Sequence, residues 1–325
     1  MNFTRRGLLR TAAALPLASA LSPVLAQNKF PSGPAKLIVP FAPGGAADLL
    51  GRVMAEKMAR PFGQPIIVEN KSGAGAALGT RAAAHAAPDG LTALLHGSTM
   101  LVQQILNKEA GYDFRRDFTP VTLLTQFPLV LVVHPSLPVK NINEFPQYAR
   151  VNQSKFFFGS AGTGSSQHLV GELFNRALGI KMQHVPYRGN GPATTALLAG
   201  DIQVFFDIIP TALSYGAIGK VRNLAVTSKK RNATLPDIPS LNETILPGFE
   251  ANFWHGLHLP KGTNASVVDH WYKSAKVALT DKDLQKKFSD LGFETIGSTP
   301  QELAAYMEQD SDKWGKVIAD ANIKI

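Results

Sequence analysis

The stretch AKLIVPFAPGGAADLLGRVMAEKMAR, residues 35–60, sets a β-type run against a glycine-rich turn and then a helical run. Residues 35–41 (AKLIVPF) have the apolar character of a strand, and Pro43-Gly44-Gly45 breaks it. From Ala46 to Arg60 the side chains Leu49, Val53, Met54 and Met58 recur at helical spacing, and Pro61 and Gly63 close the run. A strand that turns at once into a helix is the unit from which α/β folds are built.

Outward from this stretch the unit repeats. Residues 65–69 read as a second strand, followed by Ser72-Gly73-Ala74-Gly75 and an alanine-rich helix over 78–87. Pro88-Asp89-Gly90 is a turn and 91–96 a third strand. A long β-type run at 121–133, interrupted at Phe127-Pro128 and ended by His134-Pro135, marks the crossing from a first lobe into a second. There, strands at 155–159, 183–187 and 202–207 alternate with helices at 166–178, 192–199 and 210–218. A strand at 222–227 can carry the chain back, and helices at 267–279 and 300–321 complete the first lobe. The expected division is an export signal over 1–26, first lobe 27–126, second lobe 127–225, and completion of the first lobe over 226–325. Two crossings between lobes make a hinge, which a closing cleft requires.

The leading residues carry Arg5, Arg6 and Arg10, then an acid-free apolar stretch, then Val24 and Ala26 as small residues before Gln27. That is the layout of a cleavable export signal, and Thr4-Arg5-Arg6-Gly7-Leu8-Leu9-Arg10 resembles a twin-arginine address, though the Sec route would serve the same segment. A membrane anchor is the alternative, but Pro16, Ser19, Ser22 and Pro23 break the stretch short of a spanning length. A periplasmic mature chain of about 300 residues exceeds what one core usually serves. The absence of cysteine excludes disulfides, thiol catalysis and the commonest structural zinc sites. The net charge of +9 falls to +6 (30 cations against 24 acids) without the three signal arginines. The remaining cations are scattered apart from Lys229-Lys230-Arg231, which argues against a nucleic-acid surface.

Four turns repeat one chemistry: Phe41–Asp48, Ser160–Ser166, His96–Thr99 and Tyr187–Gly191 are glycine-, serine- or threonine-rich and lie between strand and helix. Such turns present unpaired helix-start N–H groups and a positive dipole end at the carboxyl ends of strands, where a carboxylate or phosphate is well placed. One loop from each lobe would grip an anion from both sides. Ordinary capping explains any single such turn. Asp48 suits the first turn of a helix and His168 a capping or packing role, whereas Asp207, closing an apolar strand, needs partners.

Competing chemistries lack their residues. Gly73-Ala74-Gly75-Ala76-Ala77-Leu78-Gly79 misses the dinucleotide spacing by one place, and there is no Walker lysine and no nucleophile elbow. His255 and His258, three apart on a strand, point to opposite faces. No catalytic residue, metal or cofactor is expected, and the chain is read as a binding protein; an exported carboxylate-processing enzyme is the lesser alternative.

Pro40–Asp48 together with Val68-Glu69-Asn70-Lys71-Ser72-Gly73-Ala74-Gly75 resembles the opening of Bug-type receptors, the extracytoplasmic solute receptors of tripartite tricarboxylate transporters. Further matches are Ala87–Gly90, Gly162–Leu169, His184–Gly189, Gly219–Thr227, Pro236–Pro239 and Trp254-His255-Gly256, so that the resemblance runs from Pro40 to the C-terminus. It implies a type II periplasmic-binding-protein fold: two lobes, each a mixed sheet flanked by helices, with a ligand cleft between them. It implies small carboxylate ligands, namely di- or tricarboxylates or aromatic acids. The partners it implies are membrane permease subunits or, alternatively, a sensor kinase. Carried over by position, Phe41 and the backbone of Gly44, Gly45 and Ala46 would touch the ligand, with Asp48 at the edge. Thr163, Ser165 and His168 would face them, and Ser98, Thr99 and Asp207 would line the wall. The sequence departs from the family where Ala47 stands in place of a usual Thr or Ser, where Ala76-Ala77 replaces Gly-Asn, and where Gly51 replaces Ala. The first departure removes a hydroxyl and suggests a bulkier or less charged ligand.

Overall fold

A computed structural model describes residues 30–152 and 156–324, so the expected signal at 1–26 lies outside the described residues. The first strand–helix unit forms as expected: β1 (Ala35–Val39) leads through the glycine turn into α1 (Ala46–Phe62). The helix runs past Pro61, and it ends at Gly63, whose left-handed φ of 86° lets its N–H reach the carbonyls of Ala59 and Arg60. There follow β2 (Ile66–Asn70), α2 (Ala77–Ala84), β3 (Thr92–Gly97), α3 (Ser98–Leu106), α4 (Phe114–Asp117) and β4 (Phe118–Pro128). The next elements are β5 (Val130–Val133), α5 (Phe145–Val151), β6 (Phe157–Ser160), α6 (Ser166–Leu178), β7 (Gln183–Pro186) and α7 (Asn190–Ala199). Next come β8 (Val204–Asp207), α8 (Ile209–Ala217), β9 (Arg222–Val226) and β10 (Asn252–Pro260). Last are α9 (Ala265–Leu279), α10 (Lys282–Asp290), β11 (Glu294–Thr295) and α11 (Pro300–Asp320).

These strands build two mixed sheets, ordered β11-β4-β10-β3-β1-β2 and β7-β6-β8-β5-β9. In the first, β1 is parallel to β2 and β3, while β10 runs antiparallel between β3 and β4. In the second, β6 is parallel to β7 and β8, while β5 is antiparallel to β8 and β9. Alternation along each strand feeds two apolar layers per sheet. Leu37, Val39 and Leu95 face α1 and α9, while Ile38 and Leu94 face the other way with Met100 and Trp254. Likewise Leu131, Val133 and Phe206 pack with Phe174 of α6, and Val130, Val132 and Phe205 with Leu197 of α7.

The strand at 222–227, read from sequence as a way back to the first lobe, is instead an edge strand of the second sheet. Its antiparallel ladder with β5 holds it there, and Leu241, Phe249 and Ala251 of the following segment pack into the same core. The chain rejoins the first sheet at β10. Helix α11 does not belong to the first core alone. Leu303 and Met307 sit in the first core, and Trp314, Val317 and Ile318 in the second.

Both passages between sheets meet at one fully buried side chain, Thr227. Its N–H donates to the Leu129 carbonyl (2.9 Å) and its carbonyl accepts from Ala251 N–H (2.9 Å). Its hydroxyl accepts from Leu129 N–H (2.9 Å) and donates to the Ala251 carbonyl (2.7 Å). Thr227→Val keeps the shape but orphans a buried N–H and a buried C=O. We expect a loss of about 2–4 kcal/mol in urea unfolding, against less than about 1 kcal/mol if water replaced the hydroxyl.

Candidate functional site

The four turns singled out in the sequence all lie at the carboxyl ends of strands and open helices: β1 into α1, β3 into α3, β6 into α6, and β7 into α7. In the first lobe, Gly44 takes a left-handed φ of 84°, and its N–H donates to Asp48 Oδ2 (2.9 Å). Asp48 is buried and fully engaged, because it also accepts from Arg52 Nε (3.0 Å) and Asn70 Nδ2 (2.9 Å). Burial pushes its pKa up, yet the hydrogen bonds from Arg52, Gly44 and Asn70 outweigh that and hold it below the usual range. Asp48 therefore shapes the loop from behind. Asn70 also donates to the Phe41 carbonyl (3.1 Å), which ties the end of β2 to the same loop. Gly45 opens α1 with no side-chain cap, so the helix start offers backbone donors, and Ala46 beside it is half-buried. The ring of Phe41 lies edge-on to His96 at 5.4 Å.

In the second lobe, two stacked histidines fix the facing loop. The rings of His168 and His184 lie 3.7 Å apart and 9° from parallel. His168 Nδ1 accepts from Gly164 N–H (3.1 Å), so its proton sits on Nε2 when the ring is neutral. His184 Nε2 meets Ser160 Oγ at 2.6 Å, and that hydroxyl donates to the Gly162 carbonyl (3.0 Å). Ser165 spends its hydroxyl capping α6 at His168 N–H (3.4 Å), and Thr163 is half-buried between these anchors. His168 is thus a packing and capping residue, as its place near a helix start suggests.

Asp207 ends β8 with 2% exposure. Its Oδ1 accepts from Asn190 Nδ2 (3.0 Å) and from Ile208 N–H (2.8 Å), and Gln167 Nε2 donates to Asn190 Oδ1 (3.0 Å). This relay links the loops after β6, β7 and β8. Burial raises the Asp207 pKa to about 6 against those two hydrogen bonds.

The structure separates Ser98 from Thr99. Thr99 is half-buried, but Ser98 is turned inward, its hydroxyl close to Asp310 of α11 without reaching hydrogen-bond geometry. Asp310 is itself buried and accepts from the Trp254 indole (2.7 Å). The lobes approach each other where Gly164 meets α3: a Cβ there would stand 2.6 Å from Leu106 Cδ1. Gln103, one turn beyond Thr99, lies at the same junction, and sequence reasoning missed it because it sits inside α3, past the quoted turn and outside any motif. Asn190 was within a quoted turn, and its position beside Gly189 at a helix start was the available signal. Ala47, the departure from the family pattern, is buried against the first core. A groove of ≈ 490 Å³ runs along the crossings, lined by Gln126, Phe127, Lys229 and Phe293, and none of the eleven expected residues lines it.

A family model described as the tripartite tricarboxylate transporter family receptor matches residues 50–323. The chain belongs to that family. The periplasmic binding protein BugD is 35% identical, with a TM-score of 0.78 over 91% of this chain and 99% of that one. An R. palustris protein, Rpa4515, solved with adipate, is 30% identical with a TM-score of 0.81 over 91% and 99%. MatC from Rhodopseudomonas palustris, solved with bound malate, is 33% identical with a TM-score of 0.77 over 89% and 100%. The two-lobe periplasmic-binding-protein fold implied by the sequence motifs therefore holds for this chain.

The buried histidines of this receptor make its stability acid-sensitive. Burial lowers the pKa of His168, His255 and His258 to about 4, and holds that of His96 well below the usual histidine range. Below pH 6.5 the unfolded chain binds protons that the folded chain refuses, so stability falls with pH at about 1.4 kcal/mol per unit for each histidine. Asp207, whose pKa burial raises to about 6, opposes this only from about pH 6 down, and burial raises Glu172 and Asp310 in the same direction. We expect the melting temperature to fall steadily from pH 7 to pH 5. A flat or rising profile would show that the histidines are solvated.

Proposed function

We propose that the protein is an extracytoplasmic receptor that captures a small carboxylate by closing its two lobes and delivers it to tripartite transporter subunits in the membrane. The observation that carries this reading is that each lobe holds an anion-suited loop at the carboxyl end of a strand, and that the second-lobe loop packs on α3 of the first. The uncapped start of α1, with Phe41, Gly44, Gly45 and Ala46, belongs to the first lobe. The loop bearing Thr163 and Ser165 belongs to the second, and its Gly164 reaches α3 of the first. The first crossing lies at Leu129, close to the boundary at 127 read from sequence, whereas the return follows Ala251 and not residue 226. Two related proteins of the same fold were solved with adipate and with malate, which supports a carboxylate as cargo.

The reading requires no chemistry on the ligand. Asp48, Ser165, His168 and Asp207 each serve to hold a loop in place. None pairs a nucleophile with an oriented base. No described helix is long and apolar enough to cross a membrane, so the periplasmic location rests on the export signal and the family.

The test is a thermal-shift panel on the chain from Gln27 onward, with adipate, malate, succinate, citrate, benzoate and terephthalate, and with sugars and zwitterionic amino acids as controls. At a hundred times its dissociation constant a ligand should stabilise by about 2.7 kcal/mol, or about 5 °C. A selective rise with one or two acids is expected. A flat panel, after any co-purified ligand has been removed by unfolding and refolding, overturns the carboxylate reading.

A further inference from the structure

Gln103 stands out among the buried polar side chains of the cleft. It is 8% exposed, and among the described residues its carboxamide makes no hydrogen bond to protein. Its amide atoms are nonetheless not sealed from solvent, so the donor and the acceptor are both open to a ligand. Its position says where that ligand would lie. A Cβ on Gly75 would stand 2.9 Å from Gln103 Cδ, 2.9 Å from Oε1 and 3.0 Å from Nε2. The three atoms are equidistant, so the amide plane lies face-on against Gly75, and its polar edges are left pointing sideways. A Cβ on Gly164, in the second-lobe loop, would lie 3.5 Å from the same Nε2. The amide thus sits between a loop of each lobe, pressed against Gly75 where a Cβ would collide with it and in ordinary contact distance of Gly164.

The Gly75 side of this junction is held in an uncommon shape. Ala74, Gly75 and Ala76 all adopt left-handed φ values, of 48°, 63° and 78°. Two of them carry a Cβ, at a cost of roughly 1–2 kcal/mol each. The turn leads directly into α2, which has no side-chain cap. Gln103 also shares its helix face with Thr99, four residues earlier.

We infer that Gln103 is a specificity-determining residue: its carboxamide binds the second polar end of the ligand when the lobes close, so that the receptor selects a diacid over the monoacid of equal length. The assignment rests on the carboxylate-capture reading above. An anion held by the loops at Gly45 and Ser165 leaves its far end to be read by a neutral group. An amide offers both a donor and an acceptor there without adding charge.

The experiment measures dissociation constants by calorimetry for three matched pairs: adipate and hexanoate, succinate and butyrate, malate and 2-hydroxybutyrate. For the best-bound pair, the unaltered protein should prefer the diacid at least about tenfold, the worth of one charge-assisted hydrogen bond. Gln103→Met, of equal length but apolar, should reduce that preference to within about twofold while leaving monoacid affinity unchanged. Gln103→Glu should lose diacid affinity further as pH rises from 5 to 7.5, because two carboxylates then face each other. Should Gln103→Met not fold, Gln103→Asn keeps the amide, withdraws its reach by one methylene, and is read in the same way. A tenfold preference that survives in the variants overturns the assignment while leaving carboxylate capture intact. Binding of none of the six acids overturns both.

Discussion

The structure depends on keeping two separately cored sheets in one fixed relation while only two strands of chain join them. Thr227 does this with four hydrogen bonds at one buried point, each to backbone of Leu129 or Ala251. A side-chain hydroxyl can accept from one strand and donate to another at the same time, and no apolar residue of the same shape can do so. With both passages pinned side by side, each lobe's loops approach the other from a set direction. The Gly162–Ser165 loop meets α3 for that reason, and the close contact of Gly164 with Leu106 is the visible result.

Support for the loops comes from behind. Asp48, Asn70 and Arg52 hold the first-lobe turn, and the His168–His184 stack with Ser160 holds the second. The Gln167–Asn190–Asp207 relay then ties three strand ends together. In the proposed capture, the groups left to touch a ligand are helix-start amides and half-buried hydroxyls, whose orientation is set before anything arrives. Pre-organisation of this kind spares the ordering cost that binding would otherwise incur.

Much of the fold was legible because strand, turn and helix each leave a local trace. The glycine turn at Gly44-Gly45, the Gly162–Ser166 turn and the break at Phe127-Pro128 all fell where the chain changes element or sheet. What was not legible depended on distance. Nothing local distinguishes β9 as an edge of the second sheet, because its place is fixed by pairing with β5 some 90 residues earlier in the chain. Ser98 and Thr99 look alike in sequence, and only the packing of α11 against α3 turns one of them toward Asp310. Gln103 carries no motif at all. Its interest lies in two glycines, Gly75 and Gly164, that approach it from opposite lobes.

Helix α11 has a mechanical consequence. At 21 residues it spans about 30 Å, with Leu303 and Met307 embedded in one core and Trp314, stacked 5.2 Å from Phe253, in the other. A rod seated at both ends acts as an axle. The bodies it joins cannot swivel freely about the two linking strands without drawing Trp314, Val317 and Ile318 out of the second core. The motion left to them is a rocking in which interdigitated side chains slide by fractions of a residue. Such a joint trades range for repeatability: in the proposed closure, every stroke would bring the same atoms face to face.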